Sequence, residues 1–221
     1  MRELSAIVDL YPRIKRDIKS RAAYLSRSPE NRAAAKKFAF EYFDGTRDQG
    51  YGGFKYDGRW KTIIKKMAEL YGLNSKSAVL DIGCAKGFML HDMREMIPGI
   101  TVAGFDISAY GIEHAMEDVK PYLKAGNCVK LPYPDKSFDL SVSVNVFHNL
   151  KLEDCKRAIK EMVRVTKRHM YIQVDSFRNP EEKENLERWQ LTAELILGTK
   201  EWEAIFKEVG YDGDYYWTIT E

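Results

Sequence analysis

Long hydrophobic runs are missing from this 221-residue chain: no stretch approaches 18 apolar residues, and Met1-Arg2-Glu3-Leu4 leads into none. Neither a membrane span nor a secretory leader is expected. Cysteine is scarce, with Cys84, Cys128 and Cys155 odd in number and far apart, which argues against a disulfide framework and against paired thiolate ligands. Reduced, buried thiols in a cytoplasmic protein are the expectation. His91, His114, His148 and His169 share no metal-ligand spacing, so no metal is expected. Excess charge of one sign is absent overall, at a net +2, but it is unevenly spread. Residues 1–76 hold 17 Lys or Arg against 9 Asp or Glu, a net +8, and residues 77–221 hold 18 against 24, a net −6. The basic front suits an anionic partner, or is the solvated face of amphipathic helices, the reading preferred here. With 44% hydrophobic and 31% charged residues, the chain has the composition of a folded domain with one sizeable core.

What is present is concentrated in Ser77 to Leu90, SAVLDIGCAKGFML. An apolar run (Ala78, Val79, Leu80, Ile82) meets Asp81, Gly83 and Gly87 and then resumes, the order of a buried parallel strand, a tight glycine turn and a helix whose first amides face that turn. Gly83 permits close backbone approach to a ligand, and Gly87 lets the helix start against the strand. The G-x-G-x-x-G dinucleotide fingerprint is absent, and Gly87 is followed by Phe88 where a phosphate loop needs Lys and then Ser or Thr. Asp81 before the turn would repel a pyrophosphate and attract a cationic amine. A second apolar strand, Val102 to Ile107, ends in Asp106, 25 residues beyond Asp81, where a carboxylate can accept both hydroxyls of a ribose.

These residues resemble the cofactor motif of the class I S-adenosylmethionine-dependent methyltransferases, Val-Leu-Asp-Ile-Gly-Cys-Gly-x-Gly, with Ala85 in place of the middle glycine. Ala85 adds a methyl and favours a right-handed backbone there. The resemblance continues through Gly126-Asn127-Cys128, Leu131-Pro132-Tyr133 and Ser137-Phe138-Asp139, and covers roughly Ser77 to Asn149. It implies an α/β, Rossmann-like three-layer sandwich with a mostly parallel sheet of six or seven strands and added N-terminal helices. It also implies S-adenosyl-L-methionine as cofactor and S-adenosyl-L-homocysteine as product. Asp81 and the turn Gly83, Cys84, Ala85 and Gly87 would hold the methionine end, Asp106 the ribose and Asn127 the adenine amino group, with Ile107, Cys128 and Asn145 as further cofactor-binding candidates. Relatives close the sheet with an antiparallel edge pair, whereas only one terminal strand, Asp214 to Thr220, is evident here.

Outside the motif, residues 1–26 have a helical rhythm broken at Pro12, and Ser28-Pro29 reads as the capped start of a helix over Asn31 to Phe43. Tyr42 to Trp60 packs six aromatic residues and five glycines into one segment, the material of a closing loop over cofactor and substrate. In it, Arg47 or Arg59 can clamp a carboxylate or phosphate, and Tyr51 or Tyr56 can orient an acceptor. Further helices are expected over Lys61 to Tyr71, Phe88 to Met96, Ala109 to Val119, Leu152 to Val165, Glu181 to Arg188 and Thr199 to Val209. His148 and Asn145, with Tyr51, are the candidate catalytic residues, His148 as a base for an acceptor hydroxyl or amine or simply as a structural histidine. Asp175 and Trp189 are further candidates on the acceptor side.

The organisation expected is an N-terminal unit, 1–76, of helices and aromatic lid on a cofactor-binding core, 77–221, with a substrate-side insertion around 176–198. The acceptor expected is a small polar metabolite, such as a sugar or amino-sugar intermediate, methylated on O or N by a monomer or homodimer. An RNA methyltransferase using the basic front and a non-catalytic adenosyl-binding protein are the alternatives; no membrane partner is expected.

Overall fold

A computed structural model describes residues 1–4 and 27–220, so the two helices expected around Pro12 lie outside the described residues. In chain order the elements are β1 (Arg2–Glu3), α1 (Pro29–Ala35), α2 (Phe40–Phe43), α3 (Trp60–Tyr71), β2 (Ala78–Ile82), α4 (Phe88–Met96), β3 (Thr101–Asp106) and α5 (Ala109–Glu113). There follow β4 (Leu123–Ala125), β5 (Phe138–Val144), α6 (Leu152–Val165), β6 (Thr166–Ser176), α7 (Pro180–Trp189), α8 (Thr199–Glu208) and β7 (Asp214–Ile219). The strands form one sheet in the order β1-β7-β6-β5-β2-β3-β4. Every pairing in it is parallel.

Parallel sheets are covered on both faces, and the central strands are accordingly apolar on both. On one face Leu80, Ile82, Ile172 and Trp217 pack with Ile159 and Met162 of α6 and Trp202 and Phe206 of α8. On the other, Val79, Val102, Leu140 and Val142 meet Ile64 and Met67 of α3 and Leu90 and Met93 of α4. The result is the α/β three-layer sandwich.

The sheet edge departs from the antiparallel pair that the family resemblance implies. β7 runs alone and parallel beside β6, and the seventh position is filled by β1 from the other end of the chain. That placement is held by Arg2, whose guanidinium donates to both carboxylate oxygens of Asp214 at 3.0 and 2.8 Å, and by buried Leu4, whose N–H donates to Tyr215 O at 2.8 Å.

Three helix boundaries also differ from expectation. Asn31 to Phe43 is not continuous, because Phe38 takes a left-handed φ of 49° and its carbonyl accepts from Ser108 Oγ. The helix from Ala109 stops at Glu113, and the Met116 N–H goes to Lys86 O instead of continuing the ladder. The last helix, Thr199–Glu208, ends one residue short of Val209, and its N-cap is Gly198, whose N–H donates to Glu201 Oε2 at 2.7 Å.

Candidate active site

Because all strands run one way, the carboxyl ends of β2, β3, β5 and β6 share one edge, and the strand order reverses about β2, which opens a crevice there. A cavity of about 140 Å3 occupies it. Gly83, Ala85 and Asp106 line one side, Asn127, Cys128 and Asn145 another, and Phe38, Tyr42, Phe43 and Tyr51 cover them. Gly83 has φ 88°, and a Cβ there would stand 2.0 Å from Val146 Cγ2, so only glycine fits.

Asp106 is oriented by the turn. Its Oδ2 accepts from Ala85 N at 2.8 Å and its Oδ1 from Ser108 N at 2.7 Å, which leaves each oxygen a further lone pair. Burial nevertheless raises its pKa against these two bonds. Asp81 is buried without a hydrogen-bond partner among the described residues, and burial with the Asp106 carboxylate pushes it up to about 8. Two carboxyl groups so placed favour a cationic or hydroxyl-bearing ligand over an anionic one.

Ala85 departs from the right-handed backbone expected of it. Its φ is 50°, in the left-handed region, and the bond from its N–H to Asp106 holds it there. Such a conformation costs a non-glycine residue about 1–2 kcal/mol.

A second cavity, about 300 Å3, adjoins the first through Tyr42, Tyr51 and Asn145, which line both. Its walls are Arg27, Arg47, Lys55 and Arg59 from the N-terminal segment, and His148, Asp175, Trp189 and Gln190 from the sheet edge and α7. Asn145, at φ 57°, donates its N–H to Gln173 O at 2.8 Å and accepts at Oδ1 from Thr218 Oγ1 at 3.3 Å. Its side-chain nitrogen, Nδ2, has no partner among the described residues. His148 is 3% exposed; its Nδ1 accepts from Asp175 N at 3.2 Å, and its Nε2 lies 3.7 Å from Asp175 Oδ2. Burial lowers its pKa against the pull of Asp175. The neutral ring therefore carries its proton on Nε2 and presents no free lone pair to the cavity. Asp175 Oδ2 accepts from Gln190 Nε2, and Gln190 O from the Arg32 guanidinium.

Residues 80–172 match the family model of the methyltransferase domain. A tRNA (carboxymethyluridine(34)-5-O)-methyltransferase of Arabidopsis thaliana is 36% identical over 104 residues, 47% of this chain and 24% of that protein. A sterol 4-C-methyltransferase of Caenorhabditis elegans is 26% identical over 136 residues, 58% of this chain and 40% of that one. The chain thus spans about a quarter and two fifths of the length of these relatives. Among solved structures, the complex of the Haloferax volcanii Trm112 methyltransferase activator with a methyltransferase superposes with a TM-score of 0.54 at 19% identity, covering 69% of this chain and 75% of that one. The chain has the class I methyltransferase fold.

Within this methyltransferase fold the first cavity gathers Gly83, Ala85, Asp106, Ile107, Asn127, Cys128 and Asn145 of the expected cofactor residues. Asp81, Cys84 and Gly87 do not line it. Asp81 is buried near enough to the Asp106 carboxylate for that charge, after burial, to raise its pKa. The Cys84 side chain packs over Gly104, where a Cβ would come within 2.7 Å of Sγ; burial and then Asp106 and Asp81 push the thiol up, which keeps it protonated. Gly87, at φ 73°, starts α4 beneath Val119 and Leu123. The second cavity gathers Arg47, Tyr51, Arg59, Asp175 and Trp189 with Asn145 and His148. Tyr56 is elsewhere, its hydroxyl donating to Asp92 Oδ1 at 2.5 Å. His91, Asp92 and Glu95 bring ligand-type atoms within 4.8 Å of one another, but His91 Nδ1 already meets Asp118 at 2.8 Å and Asp92 holds Tyr56.

The residues that sequence reasoning missed are those that fasten the cover. Lys86, inside the glycine turn and buried, donates to Asp44 Oδ2 at 2.6 Å and to Phe54 O at 3.1 Å. Asp44 also accepts from Tyr110 OH at 2.7 Å and from Phe54 N at 3.1 Å. Burial works against its charge, but Lys86, Tyr110 and the Phe54 amide together hold its pKa below the usual value. Phe54 stacks on Phe88, the first residue of α4, at 4.9 Å. The one signal in the sequence was a lysine amid the small, uncharged residues of the Gly83 to Gly87 turn; its partner lies 42 residues away.

An adenosyl-methionine ligand fits the residues present: a glycine turn close to the backbone, an oriented ribose-type carboxylate at Asp106, a second uncompensated carboxyl behind it, and flat aromatic cover. Among the described residues no helix is long and apolar enough to cross a membrane.

Proposed function

We propose that this chain transfers a methyl group from S-adenosylmethionine to a polar acceptor held in the second cavity. The observation that carries the reading is the passage at Asn145, Tyr42 and Tyr51, where a cavity suited to the methyl donor opens onto a polar one. The bound sulfonium supplies an activated methyl group, so the protein's work is alignment and exclusion of water. Asp106 would take the ribose hydroxyls, the Gly83 to Gly87 turn the methionine end, and Asn127 the adenine amino group. Asn145, fixed by Gln173 and Thr218, would orient the acceptor at the passage. His148 would act as a positioning residue, fixing the Asp175 backbone and side chain so that the carboxylate can receive a hydrogen bond, or a proton, from the acceptor.

For the acceptor, RNA is better supported than a sugar or amino-sugar metabolite, because the tRNA methyltransferase shares 36% identity over 104 residues and the cavity rim is basic. A small metabolite stays as the second reading, favoured by a cavity of only about 300 Å3. Calorimetry with S-adenosylhomocysteine tests the donor half, and saturable binding is expected. Transfer of labelled methyl groups into total RNA and, separately, into a small-molecule extract tests the acceptor half. Label in the RNA fraction that is lost on nuclease treatment supports RNA; label confined to the small molecules supports the second reading. No heat with S-adenosylhomocysteine and no label in either fraction would end the proposal.

A further inference from the structure

We infer that the second cavity is built for an anion, a phosphate or carboxylate carried by the acceptor itself, gripped between Arg27 and Arg47. The inference deepens the methyl-transfer reading and rests on it for the identity of the molecule that brings the anion.

Four cationic side chains line this cavity, but they are not equivalent. Arg59 is engaged by Asp57, its Nε 2.8 and 2.9 Å from the two carboxylate oxygens and its NH2 2.5 Å from Oδ2. Lys55 is exposed. Arg27 and Arg47 are the unbalanced pair. Through NH1, Arg27 donates only to backbone carbonyls, of Asp48 at 3.1 Å and of Arg47 itself at 3.4 Å. Arg47 NH1 likewise donates to the carbonyls of Gly50 and Tyr51, both at 3.1 Å. Among the described residues neither has a carboxylate in salt-bridge contact, and Nε and NH2 of both are uncommitted.

Holding these guanidiniums together is unfavourable without a counter-charge. Burial, then the charges of Arg47 and Arg32, bring Arg27 down to about 10 against the smaller opposing pull of Asp48 and Tyr42. The fold nonetheless fixes the arrangement: Arg27 sits over the Trp189 ring at 5.6 Å, and its carbonyl accepts from Arg32 Nε at 3.1 Å. Two guanidinium forks with free donors are a match for the oxygens of a phosphate or carboxylate, and two charge-assisted contacts would offset the repulsion. Asp175, also in the lining, carries a charge that disfavours an anion beside it and favours a hydroxyl or amine. The acceptor is thereby oriented, with its anion at the arginines and its methylated atom toward Asp175 and Asn145.

The test is calorimetric titration of the full chain, with and without S-adenosylhomocysteine, using inorganic phosphate and acetate as probes. Saturable binding is expected. Arg27→Gln and Arg47→Gln should each weaken it by about tenfold, whereas Arg157→Gln, on the exposed surface of α6, should leave it unchanged. S-adenosylhomocysteine affinity, expected to stay within about twofold, reports that each variant is folded; should Arg27→Gln lose it, Arg47→Gln, whose side chain is exposed, decides alone. Absence of saturation, or equal affinity in native protein and Arg47→Gln, would overturn the anion site. Failure of native protein to bind S-adenosylhomocysteine would sink the methyl donor instead, and the phosphate titration of the unloaded chain would still decide the anion. With the site supported, uridine 5′-monophosphate and a short single-stranded RNA identify its source. RNA bound far more tightly than the mononucleotide, with steep salt dependence, points to a nucleic-acid phosphate; equal affinity points to a free metabolite.

Discussion

At the scale of single residues, the cofactor reading comes down to Asp106. Its carboxylate is oriented by the amides of Ala85 and Ser108, so replacing it removes the proposed ribose acceptor and the bond that keeps Ala85 left-handed. Asp106→Ala is expected to weaken S-adenosylhomocysteine binding by at least about tenfold, the loss of one charge-assisted hydrogen bond of about 1.5–3 kcal/mol, measured by calorimetry. Asp81 answers to pH. Its carboxyl stays protonated up to about 8 in the folded chain but ionises near 3.8 when unfolded, so between those values the unfolded state binds fewer protons and stability falls as pH rises. Urea denaturation at pH 5 and pH 8 should show this decline in the native protein, and Asp81→Asn should flatten it. A decline of equal size in the variant would assign it to other groups. The sequence located both acids, but which of them reaches the cavity is a matter of packing: Asp106 is part of its lining and Asp81 is not.

At the scale of elements, the aromatic cover and the glycine turn are one assembly, joined by Lys86 and Asp44. Lys86 is buried and Asp44 partly so, which places the pair between an exposed ion pair and a fully buried one. Asp44→Ala strands the ammonium and is expected to destabilise the chain by about 2 kcal/mol, with faster amide exchange over residues 42–54 than elsewhere. Exchange that rises uniformly would mean that this segment does not open as a unit. Lys86→Met, which removes the buried charge as well as the bond, should be the milder change. The aromatic and glycine content of Tyr42 to Trp60 was legible as a cover. The attachment was not, since a salt bridge between residues 42 positions apart leaves no periodicity to read.

At the scale of the whole molecule, ligand binding and folding are linked, because the first cavity is assembled from the N-terminal segment, the turn after β2 and the ends of β3 and β5. A ligand that needs all of them binds only the folded chain. S-adenosylhomocysteine at about 100 times its Kd should raise stability by about 2.7 kcal/mol, seen as a concentration-dependent rise in melting temperature. Asp106→Ala should lose most of that rise at the same ligand concentration.

What the sequence determined by itself is the order of chemistry along the chain: a parallel α/β core, a glycine turn with an acid on either side, and polar residues at the carboxyl ends of later strands. These are local patterns, since alternation, run length and glycine spacing act through neighbours in the chain. Only the tertiary structure decided that β1 closes the sheet beside β7, that His148 turns its Nδ1 to the Asp175 backbone, and that Arg27 donates to the Arg47 carbonyl beside a cavity edged by Trp189. Each joins segments distant in sequence, and such contacts are chosen by burial and charge in three dimensions, which a one-dimensional pattern does not encode.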